Sequence, residues 1–199
     1  MPIEQSLSYV ISIAFDWLIL LFLIETVVAI LVNPQHHFGT VGNVEEDGII
    51  SKRSNTLRSR AATFTGLAIA IGTFILSSGL STVEKTAPVR MVWLALAFLL
   101  ISYQLKSLVR TDRLWYFLQE RMFEYGFLSL IGAIFFLASV YSVFPAPYLQ
   151  IGVAVVFLIR FRAVYVQLKG LRQMWIRSNE GSRLKYVIEL IKERYNDMK

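Results

Sequence analysis

Apolar residues fall into five long runs separated by short polar connections: Leu7–Val32, Ala61–Leu80, Val89–Leu105, Phe127–Phe144 and Ala146–Leu168. A helix needs about 20 residues to cross the hydrocarbon of a bilayer, so each run is long enough, or nearly so, to span it. The third and fourth are short and rely on flanking aromatic and basic residues. The fifth is apolar only from Ile151 to Ile159 before Arg160 and Arg162, with Pro145 and Pro147 at its start. A re-entrant hairpin there, giving four crossings, is the alternative to five. The predicted fold class is all-α, a polytopic transmembrane helical bundle with cytoplasmic amphipathic helices. Residues 1–170 form the membrane domain and residues 171–199 a basic tail.

Three connections carry a pattern of their own. Asn33–Arg60 is turn-rich, with Pro34, Gly39, Gly42 and the acidic run Glu45–Asp47, and a small hairpin is expected around Asp47–Gly48, pairing Val41–Val44 with Ile49–Ser51. Leu108–Tyr125 alternates Leu114, Trp115, Phe117, Leu118 and Met122 with Arg110, Arg113, Glu120 and Arg121, which predicts a separate helix lying in the interface. In the tail, Leu184, Val187, Ile188, Ile191 and Tyr195 recur at helical spacing among charged residues. That stripe is too apolar for an isolated helix to leave in water, and it is read as a docking face for a partner.

The distribution of charge orients the segments. No Lys or Arg precedes Lys52; the first connection holds Lys52, Arg53, Arg58 and Arg60, the second only Lys85 and Arg90, and the third Lys106, Arg110, Arg113 and Arg121. The turn at 143–150 has none, and ten of the twenty basic residues lie from Arg160 onward. Basic residues concentrate on the cytoplasmic side of membrane proteins. Five crossings with the N-terminus outside and the C-terminus in the cytoplasm put all but Lys85 and Arg90 inside. The first helix has no basic n-region and no small-residue cleavage site, so it reads as a retained span and not a signal peptide. A bacterial inner membrane is the expected location.

Composition agrees with this picture. The chain is 55% hydrophobic and only 17% charged, against about 25% charged in ordinary soluble domains. Its net charge of +6 would suggest nucleic acid in a soluble protein. Here the basic residues flank apolar runs, so the expected partners are membrane lipids and not nucleic acid. The absence of cysteine excludes disulfides, thiolate metal sites and thiol catalysis.

The costliest residues are the ionisable ones inside the runs, Asp16, Glu25, Arg160 and Arg162. Each costs about 2.5–3.5 kcal/mol at mid-bilayer unless it finds a partner or water. Asp16 and Glu25 are nine residues apart, about 180° around a helix, so they cannot share a face. With the first helix centred near Leu20 and the fifth near Phe157, Glu25, Arg160 and Arg162 all lie about 5–8 Å to the cytoplasmic side of centre. A Glu25–Arg160 or Glu25–Arg162 ion pair is therefore expected. Asp16 has no depth-matched cation and is the best hint of a cavity. Arg160, Lys169 and Arg172 keep a three-residue register that Ala163 and Val166 leave vacant, which argues against a voltage sensor.

In the second run Ala62, Gly66 and Ala70 are four apart, and Ala68 and Gly72 make a second small pair. This spacing lets helix backbones approach, within the chain or between copies. His36–His37 is the only histidine pair, and no metal or cofactor site is expected. No G-x-S-x-G, H-E-x-x-H, Walker A or G-x-G-x-x-G motif occurs. The expected function is a non-enzymatic membrane subunit that self-associates and anchors, senses or scaffolds, docking a cytosolic protein through its basic side and C-terminal helix. A membrane component of a bacterial defence or stress system fits that class. The alternative is a small oligomeric channel or transporter subunit with Asp16 and Glu25 in its pathway.

Overall fold

A computed structural model describes residues 3–32, 44–108 and 113–141, and beyond these 151–152, 155–156, 158–166, 168–169, 185, 188–189 and 192. Every regular element among the described residues is helical: α1 (Ile3–Val32), α2 (Val44–Ser77), α3 (Thr82–Leu105) and α4 (Arg113–Val140). Residues 158–166 continue the pattern as helix. Three stretches are long and apolar enough to cross a membrane, Gly48–Ser77, Lys85–Leu105 and Arg113–Ala138, and α1 contributes a shorter apolar stretch, Trp17–Leu31.

Three elements differ from the sequence expectation. The hairpin expected around Asp47–Gly48 does not form, because Val44 to Ser77 is one helix of 34 residues. At 1.5 Å per residue it is about 51 Å long, well beyond the roughly 30 Å of a hydrocarbon core. If it crosses a bilayer with its apolar half, its first half, carrying Lys52, Arg53, Arg58 and Arg60, extends outside the apolar layer. Gly48 does not break it, since a single helical glycine costs only about 1 kcal/mol. Likewise, the interfacial helix and the fourth run are one continuous helix, α4, of 28 residues. The third run also begins earlier than expected: Ser81 stands at the N-cap of α3, its carbonyl accepting from the Lys85 amide at 3.0 Å.

The helices alternate in direction. Gly72 meets Val92 and Arg58 meets Tyr103, so α2 and α3 are antiparallel. Gly126 meets Leu99 and Gly132 meets Met91, so α4 turns back along α3. α2 and α4 run in the same direction, with Ser54 against Gln119 at one end and Phe74 against Tyr141 at the other. Helix α3 is the central element, packed most extensively on α4 and then on α2, while α1 leans on α4 and α3.

Small residues set the closest approach. A Cβ on Gly126 would stand 2.8 Å from Leu99 Cγ and 3.2 Å from the Leu99 backbone nitrogen, so α3 and α4 touch nearly backbone to backbone. The core beside that contact is built from Leu21 and Phe22 of α1, Ala68 and Ile75 of α2, Ala95 and Phe98 of α3, and Leu130 and Ala133 of α4. The opposite faces are apolar too: Leu23, Leu76 and Trp93 are 52%, 67% and 68% exposed. A helix apolar on both its packed and its open side belongs in lipid.

A polar junction joins three helices at the basic end. Ser54 Oγ donates to Gln119 Oε1 at 2.6 Å, and Gln119 Nε2 donates back to the Ser54 carbonyl at 3.3 Å. Ser102 Oγ donates to the Gln119 carbonyl at 2.9 Å. All three side chains are fully buried. Leaving a buried polar group unpaired costs about 1–3 kcal/mol, so the reciprocal pairing fixes the register of α2, α3 and α4 against one another.

Candidate functional site: a buried charge cluster

Helix α4 brings Arg121, Glu124 and Tyr125 to one end of the bundle by its own periodicity. Arg121 and Glu124 are separated by three residues, and Arg121 and Tyr125 by four, so all three lie on neighbouring positions of one face. Glu25 of α1 meets that face. Its side chain is 1% exposed, and both its oxygens are occupied: Arg121 Nη1 donates to Oε1 at 2.7 Å and the Tyr125 hydroxyl donates to Oε2 at 2.6 Å. Arg121 Nη1 also donates to Glu124 Oε2 at 2.9 Å.

Arg160, from the helical residues 158–166, completes the cluster. Its Nη2 donates to Glu124 Oε2, its Nη1 stands 3.6 Å from Glu25 Oε1, and its guanidinium lies 5.0 Å from the centre of the Tyr125 ring. Two carboxylates thus face two guanidiniums, with no net formal charge. Tyr125 joins this cluster to the core, because its ring packs edge-on against Phe22 at 5.2 Å and against Phe98 at 6.2 Å. The Nε atoms of Arg121 and Arg160 are buried without a partner. That cost offsets part of the gain from the four ionic contacts.

Of the residues singled out in the sequence, Glu25 and Arg160 come together and Arg162 does not. Two residues along a helix turn the chain by about 200°, so with Arg160 facing inward Arg162 is exposed. Asp16 lies in α1, with its side chain outside the described residues. Ala62, Gly66 and Ala70 are exposed and Gly66 has open space around it, so these three point away from α3 and α4. Gly72 does pack within the chain, its virtual Cβ lying 3.2 Å from Val92 Cγ1. In the tail Ile188 is helical and exposed; Leu184, Val187, Ile191 and Tyr195 lie outside the described residues, as do His36 and His37. Among the described residues no three His, Asp or Glu side chains converge as metal ligands would.

The sequence pattern does not point to Arg121, Glu124 and Tyr125 as partners of Glu25, because it places Arg121 in a separate interfacial helix. Their three- and four-residue spacing, read as one face of a helix continuous with Phe127–Phe144, is the signal that finds them.

Beside the cluster a small apolar cleft runs between α1, α4 and the fifth segment, lined by Leu18, Leu128, Ile131, Phe135 and Val156 with Arg160 at one end. Among the described residues its lining offers no chain of polar groups along which an ion or proton could move. Compared with protein families, curated proteins and solved structures, the chain matches none.

Proposed function

We propose that the chain is a non-enzymatic integral membrane subunit that self-associates and scaffolds at the bilayer, with five crossings, its N-terminus outside and its C-terminus in the cytoplasm of a bacterial inner membrane. The observation that carries this reading is the closure of the charge cluster. Glu25 is 1% exposed with both oxygens taken, so the intramembrane carboxylate joins α1 to α4 and to the fifth segment instead of meeting water. The competing reading, a channel or transporter subunit, needs such a group beside an aqueous path.

Two further features support a scaffold. The basic N-terminal half of α2 is a rigid helical extension about 25 Å long over residues 44–60, which on this orientation projects into the cytoplasm as a platform for a cytosolic protein. The exposed face of Ala62, Gly66 and Ala70 is free for a second copy, since small residues at this spacing let membrane helices approach closely. Self-association and a cytosolic partner are the roles assigned to these two surfaces and to the tail stripe Leu184, Val187, Ile188, Ile191 and Tyr195.

The test is the double substitution Val187→Asp with Ile191→Asp, followed by oligomer sizing and recovery of co-purifying cytosolic protein. Membrane insertion is expected to survive, because both positions lie outside every apolar run. Loss of partner recovery or a smaller oligomer is the expected result. If size and recovery both match the wild type, the tail does not dock.

A further inference from the structure

A groove of about 420 Å³ lies between the parallel helices α2 and α4, lined by Ser59, Arg60, Thr63, Phe64, Phe123 and Phe127. Its size falls within the roughly 300–1,000 Å³ of small-molecule sites. Its two halves differ chemically. The floor is aromatic: Phe123 and Phe127 lie parallel within 6° with centroids 6.3 Å apart, and Phe64 leans on Phe127 at 4.9 Å and on Phe123 at 6.0 Å. The three rings hold one another in place, so the floor is preformed. The mouth, one helical turn earlier along α2, carries Ser59 and Arg60.

We infer that this groove binds one anionic phospholipid of the surrounding leaflet, its acyl chain along the three phenylalanines and its phosphate on Arg60 and Ser59. The inference rests on the membrane reading above, since it requires α2 and α4 to cross the bilayer.

Charge complementarity selects the occupant. Arg58 is held by Tyr103, donating to its hydroxyl at 2.8 Å with the guanidinium 4.5 Å from the ring centre. Arg121 and Arg160 are neutralised by Glu25 and Glu124. Arg60, exposed at the groove mouth, has no partner among the described residues, and neither has the Ser59 hydroxyl. The Thr63 hydroxyl is engaged, donating to the Ser59 carbonyl at 3.1 Å. An unpaired guanidinium with an adjacent hydroxyl matches the bidentate geometry of a phosphate.

The height is also right for a lipid. Phe64 meets Phe123 and Phe127, which bracket Tyr125 of the charge cluster along α4, so the groove mouth stands level with the last buried charges at the basic end. Beyond it the helix surface is apolar and open, with Leu67 42% exposed. A phosphate at Arg60 therefore sits at the edge of the apolar layer, and a chain laid on the phenylalanines continues into it. Basic pockets between membrane helices on the cytoplasmic side take anionic head groups in this way.

The full chain, purified in mild detergent, is titrated with phosphatidylglycerol or phosphatidylcholine and the bound lipid counted by native mass spectrometry. The wild type is expected to prefer phosphatidylglycerol. Arg60→Gln is expected to weaken that lipid about fivefold, the weight of one basic residue near an anionic leaflet, with no change in melting temperature in lipid-free detergent. Lys52→Gln, two turns away on the same helix and also exposed, is expected to leave binding unchanged. Phe127→Ala is expected to weaken both lipids.

No headgroup preference, Arg60→Gln binding like wild type, or an equal loss in Lys52→Gln would each overturn the site. Displacement of the lipid by millimolar inorganic phosphate would do the same, by making it a site for the free anion. Extraction of the chain from membranes by alkaline carbonate would remove the premise itself. Retention in the membrane with an indifferent Arg60 rejects the lipid site alone.

Discussion

Glu25→Gln is expected to destabilise the protein by about 3–5 kcal/mol, the cost of removing one partner from a buried ion pair. In the wild type two largely buried guanidiniums meet the buried Glu25 carboxylate and that of Glu124, whose side chain is 37% exposed. The substitution keeps the shape of the side chain and an oxygen for the Tyr125 hydroxyl, but it leaves Arg121 and Arg160 sharing Glu124 alone. One uncompensated positive charge then sits where Glu25 was 1% exposed. Adding Arg121→Gln restores formal neutrality and is expected to recover part of the loss, which the sum of two independent damages would not. Thermal unfolding in detergent, read for both single variants and the double, measures this. An unchanged melting temperature in Glu25→Gln would show that the cluster is not a dry, paired assembly.

Gly126→Ala is expected to be the most damaging glycine-to-alanine change among the described glycines. The added carbon would stand 2.8 Å from Leu99 Cγ and 3.2 Å from the Leu99 nitrogen, so the conflict is with a branch point and with backbone, neither of which can swing aside. Overpacking of this kind costs about 1–3 kcal/mol and occasionally more, and it acts at the α3–α4 contact from which the rest of the bundle is hung. Gly48→Ala, in α2 and outside the face assigned to a second copy, is the matched control. Its surroundings are open, so exchanging a helical glycine for alanine there should be neutral or stabilising by up to about 1 kcal/mol. Melting temperatures of the two variants in one detergent test the contrast. Equal behaviour would mean that α3 and α4 do not approach as described.

Much of the helical core was legible because an apolar run long enough to span a bilayer has few other folds open to it. The Glu25–Arg160 proximity was legible for a related reason: in parallel helices a rise of 1.5 Å per residue turns sequence position into depth. What was hidden lay where that signal stops. The acidic run Glu45–Asp47 followed by Gly48 has the composition of a turn, yet Val44–Ser77 stays helical. Charged residues outside the bilayer carry no apolar pattern to reveal it. The same dilution split α4 at Tyr125 and so removed Arg121, Glu124 and Tyr125 from the neighbourhood of Glu25.

The Ser54–Gln119 exchange spans 65 residues, and no spacing rule joins two polar side chains across that distance. Gly126 reads as an ordinary membrane glycine until Leu99 is placed against it. Small residues at four-residue spacing were conspicuous in Ala62, Gly66 and Ala70, but the spacing alone does not say which side of a helix another helix occupies.

On the scaffold reading, the cluster of Glu25, Arg121, Glu124 and Arg160 holds the helices together and serves no passage. Flux through reconstituted proteoliposomes tests it most directly, with the wild type and Glu25→Gln compared at equal protein content against protein-free vesicles. Protons and potassium are expected to cross the wild-type vesicles no faster than the protein-free ones, and Glu25→Gln is expected to add nothing. Wild-type flux above that background, abolished by Glu25→Gln, would contradict it.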